Sequence, residues 1–127
     1  MFVGVLRLVL QIPHARSLKE RRRVVKSFKD RARARLPVAV AEVGDAELYQ
    51  VATLGIVTVS SSSARCSEIL AQARSLAGGL GDALLADVAT EIVPFGEGGR
   101  GVRGGIEQAL EPGGAEPAWE DDDDFDQ

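Results

Sequence analysis

Two consecutive stretches decide the fold: Phe2-Val-Gly-Val-Leu-Arg-Leu-Val-Leu-Gln-Ile12, and, after Pro13-His-Ala-Arg16, Ser17-Leu-Lys-Glu-Arg-Arg-Arg-Val-Val-Lys-Ser-Phe-Lys-Asp-Arg-Ala-Arg-Ala-Arg35. In the first, Phe2, Leu6, Leu8, Leu10 and Ile12 alternate with Val3, Val5, Arg7, Val9 and Gln11. That period of two makes a strand with one wholly apolar face and one mixed face. Pro13 stops it. In the second, Leu18, Val25, Phe28, Ala32 and Leu36 share one side of a helical wheel, with Val24 at its edge. Ser17 is placed to cap this helix, and Glu20, three residues on, completes a capping box. Pro37 sets its end near Arg35, because the residue before a proline is pushed out of helical geometry.

The rest of the chain follows in the same way. Val38–Val43 reads as a second strand, 44–50 as a turn, and Val51–Ser60 as a third strand rich in β-branched residues. The serine run Ser60–Ser63 offers a cap for a second helix, from about Ala64 to Ala77. Ile69, Leu70, Ala73, Leu76 and Ala77 are its apolar stripe and Gly78-Gly79 its stop. A last strand falls within Ala83–Phe95. The order βαββαβ, with one direct strand-to-strand link, predicts an α+β, ferredoxin-like domain: a four-stranded antiparallel sheet with two helices on one face.

Charge divides the chain. Residues 1–95 hold 13 basic and 9 acidic residues, whereas 96–127 hold 2 and 10, so a mildly basic domain is followed by an acidic tail. Residues 96–105 include six glycines and 111–127 include eight acids. Segments with so little apolar surface do not offset the entropy of ordering, which predicts disorder over 96–127. The acidic run Glu120–Asp126 is read as solubilising, with competition for the basic helix as the sharper alternative. A single cysteine, Cys66, excludes an internal disulfide and supplies no metal pattern, which fits the cytoplasm. No segment has the length of a membrane span.

Ten of the fifteen Lys and Arg residues lie between Arg16 and Arg35, against only Glu20 and Asp30. Arg22, Lys26, Lys29 and Arg33 form a ridge beside the apolar stripe, with Arg16, Lys19 and Arg23 toward its far side. Several phosphates neutralised together by one rigid element give nucleic-acid affinity. Arg16, Ser17 and Lys19 add a helix N-terminus, whose N–H groups and dipole favour an anion. The expected RNA- or phosphate-binding residues are therefore Arg16, Ser17, Lys19, Arg22, Arg23, Lys26, Lys29 and Arg33; the bland alternative is a solvated helix face. Arg21 falls on the apolar stripe. Either its stem lies along the core with its head in solvent, or it pairs with an acid such as Glu42.

Other chemistry is poorly represented. His14, the sole histidine, has no acid or cysteine near it in sequence, and Glu42, Asp45 and Glu47 match no metal loop. Ser60–Ser63 lack the setting of a hydrolase nucleophile. No catalytic residue, metal or cofactor is expected. The first and third strands offer aliphatic residues and threonine in place of the aromatics that stack on bases, so the sheet is not the expected RNA surface. Its mixed face, with Val3, Val5 and Val9, is apolar enough to favour a homodimer through the sheet or its edge.

Val3-Gly-Val-Leu-Arg-Leu8 and Ile12-Pro-His-Ala-Arg-Ser-Leu-Lys-Glu-Arg-Arg-Arg-Val-Val-Lys-Ser27 resemble the YlxP-like family of small bacterial proteins of unknown function. The likeness continues through Val40-Ala-Glu-Val43, Leu48-Tyr-Gln50 and Ala52-Thr-Leu-Gly-Ile-Val-Thr-Val-Ser60, and covers roughly residues 1–95. It implies a ferredoxin-like fold and a gene near those for transcription elongation, translation initiation and ribosome maturation, without implying an activity. The chain departs from that pattern at His14, where glycine is usual, at the serine run, which replaces Ser-Asn-Asp, and in its acidic tail. The combined expectation is a cytoplasmic, non-enzymatic accessory factor that binds RNA, ribosomal in kind, through the first helix. The alternative is a homodimeric regulatory or scaffolding module that binds a protein or small ligand through its sheet.

Overall fold

A computed structural model describes residues 1–44 and 50–96. The elements run β1 (Phe2–Gln11), α1 (Leu18–Arg35), β2 (Ala39–Glu42), β3 (Val51–Ser60), α2 (Ser63–Gly78) and β4 (Leu84–Pro94). The strands form one sheet in the order β2-β3-β1-β4, and every pairing is antiparallel. β1 and β2 flank β3, and β3 and β4 flank β1, so two βαβ units interleave in the expected α+β, ferredoxin-like arrangement. The second strand is shorter than Val38–Val43 by one residue at each end, although the Val43 N–H still donates to Thr53 O at 2.8 Å. Ends of elements commonly shift by this much. The proposed tail, from residue 97 on, lies outside the described residues, as do Asp45, Glu47 and Tyr49.

The alternation of β1 becomes a division between two environments. Leu6, Leu8, Leu10 and Ile12 are buried beside Ala52, Leu54 and Ile56 of β3, beneath Val24, Val25, Phe28 and Ala32 of α1 and Ile69, Leu70, Ala73 and Ala77 of α2. Gly4 occupies the gap in the apolar series of β1 for a steric reason. A Cβ there would lie 2.9 Å from Leu70 Cδ1 and 3.2 Å from Cys66 Cβ, so the glycine lets α2 sit directly on the sheet. Cys66 is the small buried residue of that contact, and its Sγ lies 3.8 Å from Phe2 O. Thr58, the buried polar residue of β3, donates its hydroxyl to Pro37 O at 2.9 Å, which fastens the α1–β2 connection to the central sheet.

Candidate nucleic-acid interface

The loop before α1 is held from both sides. Ala15 N–H donates to Ile12 O, and the Gln50 side-chain amide donates to Pro13 O and Ala15 O at 3.3 and 3.5 Å. Half of the expected capping box forms as drawn, Ser17 Oγ accepting from Glu20 N–H at 3.2 Å, whereas Glu20 Oε2 reaches one residue further back than the cap and accepts from Arg16 N–H at 2.9 Å. Ser17 is extended, at φ −157° and ψ 165°, as a cap residue should be. The box engages Ser17 Oγ and the Arg16 N–H within the fold. What remains for an incoming anion is the Arg16 side chain and the positive end of the helix.

Arg21 explains how the helix is set on the sheet. Its residue is 1 % exposed, and the guanidinium forms an ion pair with Glu42 of β2 while Nε donates to Val51 O of β3 at 3.1 Å. Of the two alternatives for Arg21, the pairing with Glu42 is the one adopted. A guanidinium without a partner in that position would carry a large desolvation penalty. The interaction joins α1, the edge strand β2 and the start of β3, and it fixes which side of α1 faces water.

The eight expected binding residues then separate. Arg16, Lys19, Arg22 and Arg23 are exposed, and among the described residues none of their side chains has a bonded partner. Lys26 is exposed but donates to Asp30 Oδ2 at 2.7 Å, one turn on. That bond, with the neighbouring Lys26, Arg33 and Lys29 charges, holds the Asp30 carboxyl below its ordinary value of 3.8. A lowered carboxyl favours the fold above that value and loses the contribution as pH falls through the folded one. Lys29 is half-buried. Arg33, also half-buried, donates from Nη2 to Val40 O at 2.9 Å, and with Arg35 it complements the negative end of the helix. The ridge of Arg22, Lys26, Lys29 and Arg33 thus lies on the flank of α1 that faces β2, where Glu42 and Asp30 also line a hollow of about 320 Å³.

The opposite flank faces the turn between α2 and β4. Here Arg23 and Arg31, with Ser27 between them, line a hollow against Leu80, Gly81 and Asp82. Arg31, which is not among the eight residues expected from the sequence, joins Arg23 here. Only the docking of the α2–β4 turn gives it a site to line. Exposed His14 lines the adjoining hollow, which also contains Glu20, Arg23 and Asp82. Among the described residues no group of three His, Cys, Asp or Glu side chains is arranged to hold a metal ion. Ser62 accepts from Arg65 N–H as the cap of α2, and Ser60 Oγ accepts from Ser62 N–H, which gives the serine run a structural use. Exposed cations surrounding the positive end of a helix are suited to a polyanion, and the exposed acid near them, Asp82, lies in the hollows that Arg23 lines.

Glu42→Ala leaves a buried guanidinium facing an empty site. It is expected to lower stability by roughly 3 kcal/mol, the low end for breaking a buried pair because the Glu42 side chain retains 22 % exposure. Replacing both partners, as Arg21→Met with Glu42→Leu, should restore much of that loss. Urea unfolding of the two variants measures the difference.

No curated protein matches the chain. A model of the family described as Protein of unknown function (DUF503) matches residues 3–90, which takes in all of β1 but its first residue, the whole of β2 and β3, both helices and most of β4. With its basic first helix built on that shared domain, the chain belongs to the DUF503 family.

Proposed function

We propose that this protein is a non-enzymatic accessory factor that binds RNA, ribosomal in kind, through the exposed cations at the N-terminal half of α1, in the service of translation or ribosome maturation. The observation that carries this reading is the placement of Arg16, Lys19, Arg22 and Arg23 around the positive end of the helix, where no described side chain pairs with them. Cations near a helix N-terminus oppose the helix dipole, each by about 0.3–1 kcal/mol where they adjoin the first turn. A local conflict of this kind, set in an otherwise consistent fold, is the mark of a working surface. Phosphates approaching that end gain from the dipole and from the side chains together. Contacts of this type grip the backbone and give affinity with little choice of sequence. The YlxP-like resemblance, with its implied genetic neighbourhood of translation genes, supports the same reading and a cytoplasmic location. No helix among the described residues is long and apolar enough to cross a membrane.

A specific observation also favours the second reading, a homodimeric module. On the sheet face away from the helices, Val3 lies between Val59 and Val93, and Val5 lies beside Val57, which is followed by Ala39. Val5, Val57 and Val59 are 41, 39 and 57 % exposed. The same face carries the Arg7–Asp87 ion pair, at 2.9 Å, beyond the valines. A second copy would cover this patch through an isologous contact, and the resulting assembly would act as a regulatory or scaffolding module for a protein or small ligand.

Reversing Lys19, Arg22 and Arg23 to Glu should abolish co-sedimentation with ribosomes while leaving the circular dichroism unchanged, since all three side chains are exposed. A folded triple variant that still co-sediments would overturn the proposal. For the second reading, sedimentation equilibrium should give twice the chain mass for the wild type and the single chain mass for Val5→Lys with Val59→Lys. A wild type that stays monomeric at high concentration would contradict it.

A further inference from the structure

We infer that the groove between α1 and the α2–β4 turn is a ribonucleotide subsite, with Arg23 and Arg31 holding the phosphate backbone and Asp82 accepting a hydrogen bond from the sugar. This inference rests on the proposed RNA-binding function and specifies where on α1 a single strand lies.

Two hollows of about 180 and 160 Å³ adjoin one another along the helix and share Arg23, Val24 and Asp82 as walls. Each alone is smaller than the ~300 Å³ at which pockets begin to hold a drug-sized ligand, and together they make a shallow channel. Such a shape suits a strand laid along it better than an enclosed small molecule. Arg23, Ser27 and Arg31 follow one another at intervals of four residues along the α1 wall. At 1.5 Å per residue, each interval is about 6 Å along the axis, comparable to the step between neighbouring phosphates of a strand. The two arginines, whose backbone positions are about 12 Å apart along the axis, would bridge phosphates on either side of one that meets the Ser27 hydroxyl.

The opposite wall distinguishes this channel from a plain anion site. Asp82 is exposed and lines both hollows, yet it forms no ion pair with Arg23 or Arg31 among the described residues. Opposite charges therefore face each other across an open channel. A simple anion would meet repulsion from Asp82, whereas a ligand with acceptors along one side and a donor on the other would satisfy both walls. A ribonucleotide has that arrangement: phosphate oxygens accept from arginine, and the 2′-hydroxyl donates to a carboxylate. The 2′-hydroxyl is also the group by which a protein separates RNA from DNA at a given site. Asp82 thus becomes a specificity residue and Arg31 a binding residue.

The test uses the full chain with fluorescein-labelled uridine and deoxyuridine octamers at one low salt concentration, read by anisotropy. Arg23→Ala with Arg31→Ala should raise the Kd for the uridine octamer at least tenfold. Asp82→Ala should bring the ratio of the two Kd values from a clear preference for RNA to near one. If Lys19→Ala with Arg22→Ala weakens binding and Arg23→Ala with Arg31→Ala does not, the groove is overturned while binding by α1 stands. An RNA preference unchanged in Asp82→Ala removes its role as the sugar acceptor and overturns the subsite. A wild-type protein that binds a poly-glutamate peptide and neither octamer overturns both the groove and the function on which it rests.

Discussion

The orientation of α1 depends on one buried interaction, the pairing of Arg21 with Glu42 and the bond from Arg21 Nε to the Val51 carbonyl. A helix that packs through aliphatic side chains alone can roll about its axis with little change in buried area. An ion pair whose guanidinium is shut away from water restricts that freedom, because moving either partner leaves a buried charge without compensation. With Arg21 fixed between β2 and β3, Val24, Val25, Phe28 and Ala32 point into the core. Lys19, Arg22 and Arg23 then face solvent by geometric necessity. The basic surface is therefore a consequence of a core contact, made by a neighbouring arginine of the same run.

The same constraint separates cations that are otherwise alike in sequence. Toward β2, Arg33 reaches a backbone carbonyl and Lys26 reaches Asp30, so part of the positive charge is engaged within the fold. Toward the α2–β4 turn, Arg23 and Arg31 border an open channel. A surface charge map would show one positive helix. The hydrogen bonds divide it into a flank that supports the domain, a crest at the N-terminal end that faces water, and a flank that lines a groove. The sheet has a comparable division, since alternation buries one face under both helices and leaves valines on the other.

Most of the fold was legible because its signals are local. The period of two in β1, the capping box at Ser17 and the β-branched run of β3 each report their own backbone state, and their order limits the topology. The serine run was legible as the cap of α2 for the same reason, while the choice of Ser62 within it, with the helix starting at Ser63, came from the structure. The site was less so. A helical wheel identifies which residues are neighbours, but it does not identify which carbonyls and turns lie opposite. The wheel places Arg33 on the basic ridge, but Val40 O, seven positions away, carries no sequence signal as an acceptor for its guanidinium. Nothing local marks Arg31, because Gly81 and Asp82 reach α1 only through the return of the chain after α2. Arg21 stands out in the sequence as a charge on an apolar stripe, with Glu42 as one acid within its reach. The choice between that pair and a solvated head required the path of β2.

The central claim is that α1 presents its N-terminal cations to a phosphate backbone, and counterion release measures this directly. The affinity of the full chain for a single-stranded RNA should fall with salt along a straight line of log K against log salt. Four phosphate contacts, by Arg16, Lys19, Arg22 and Arg23, at about −0.7 each, give a slope near −3. Measurable binding with a slope near zero would contradict the account, because a contact insensitive to salt is not made by exposed cations on phosphates.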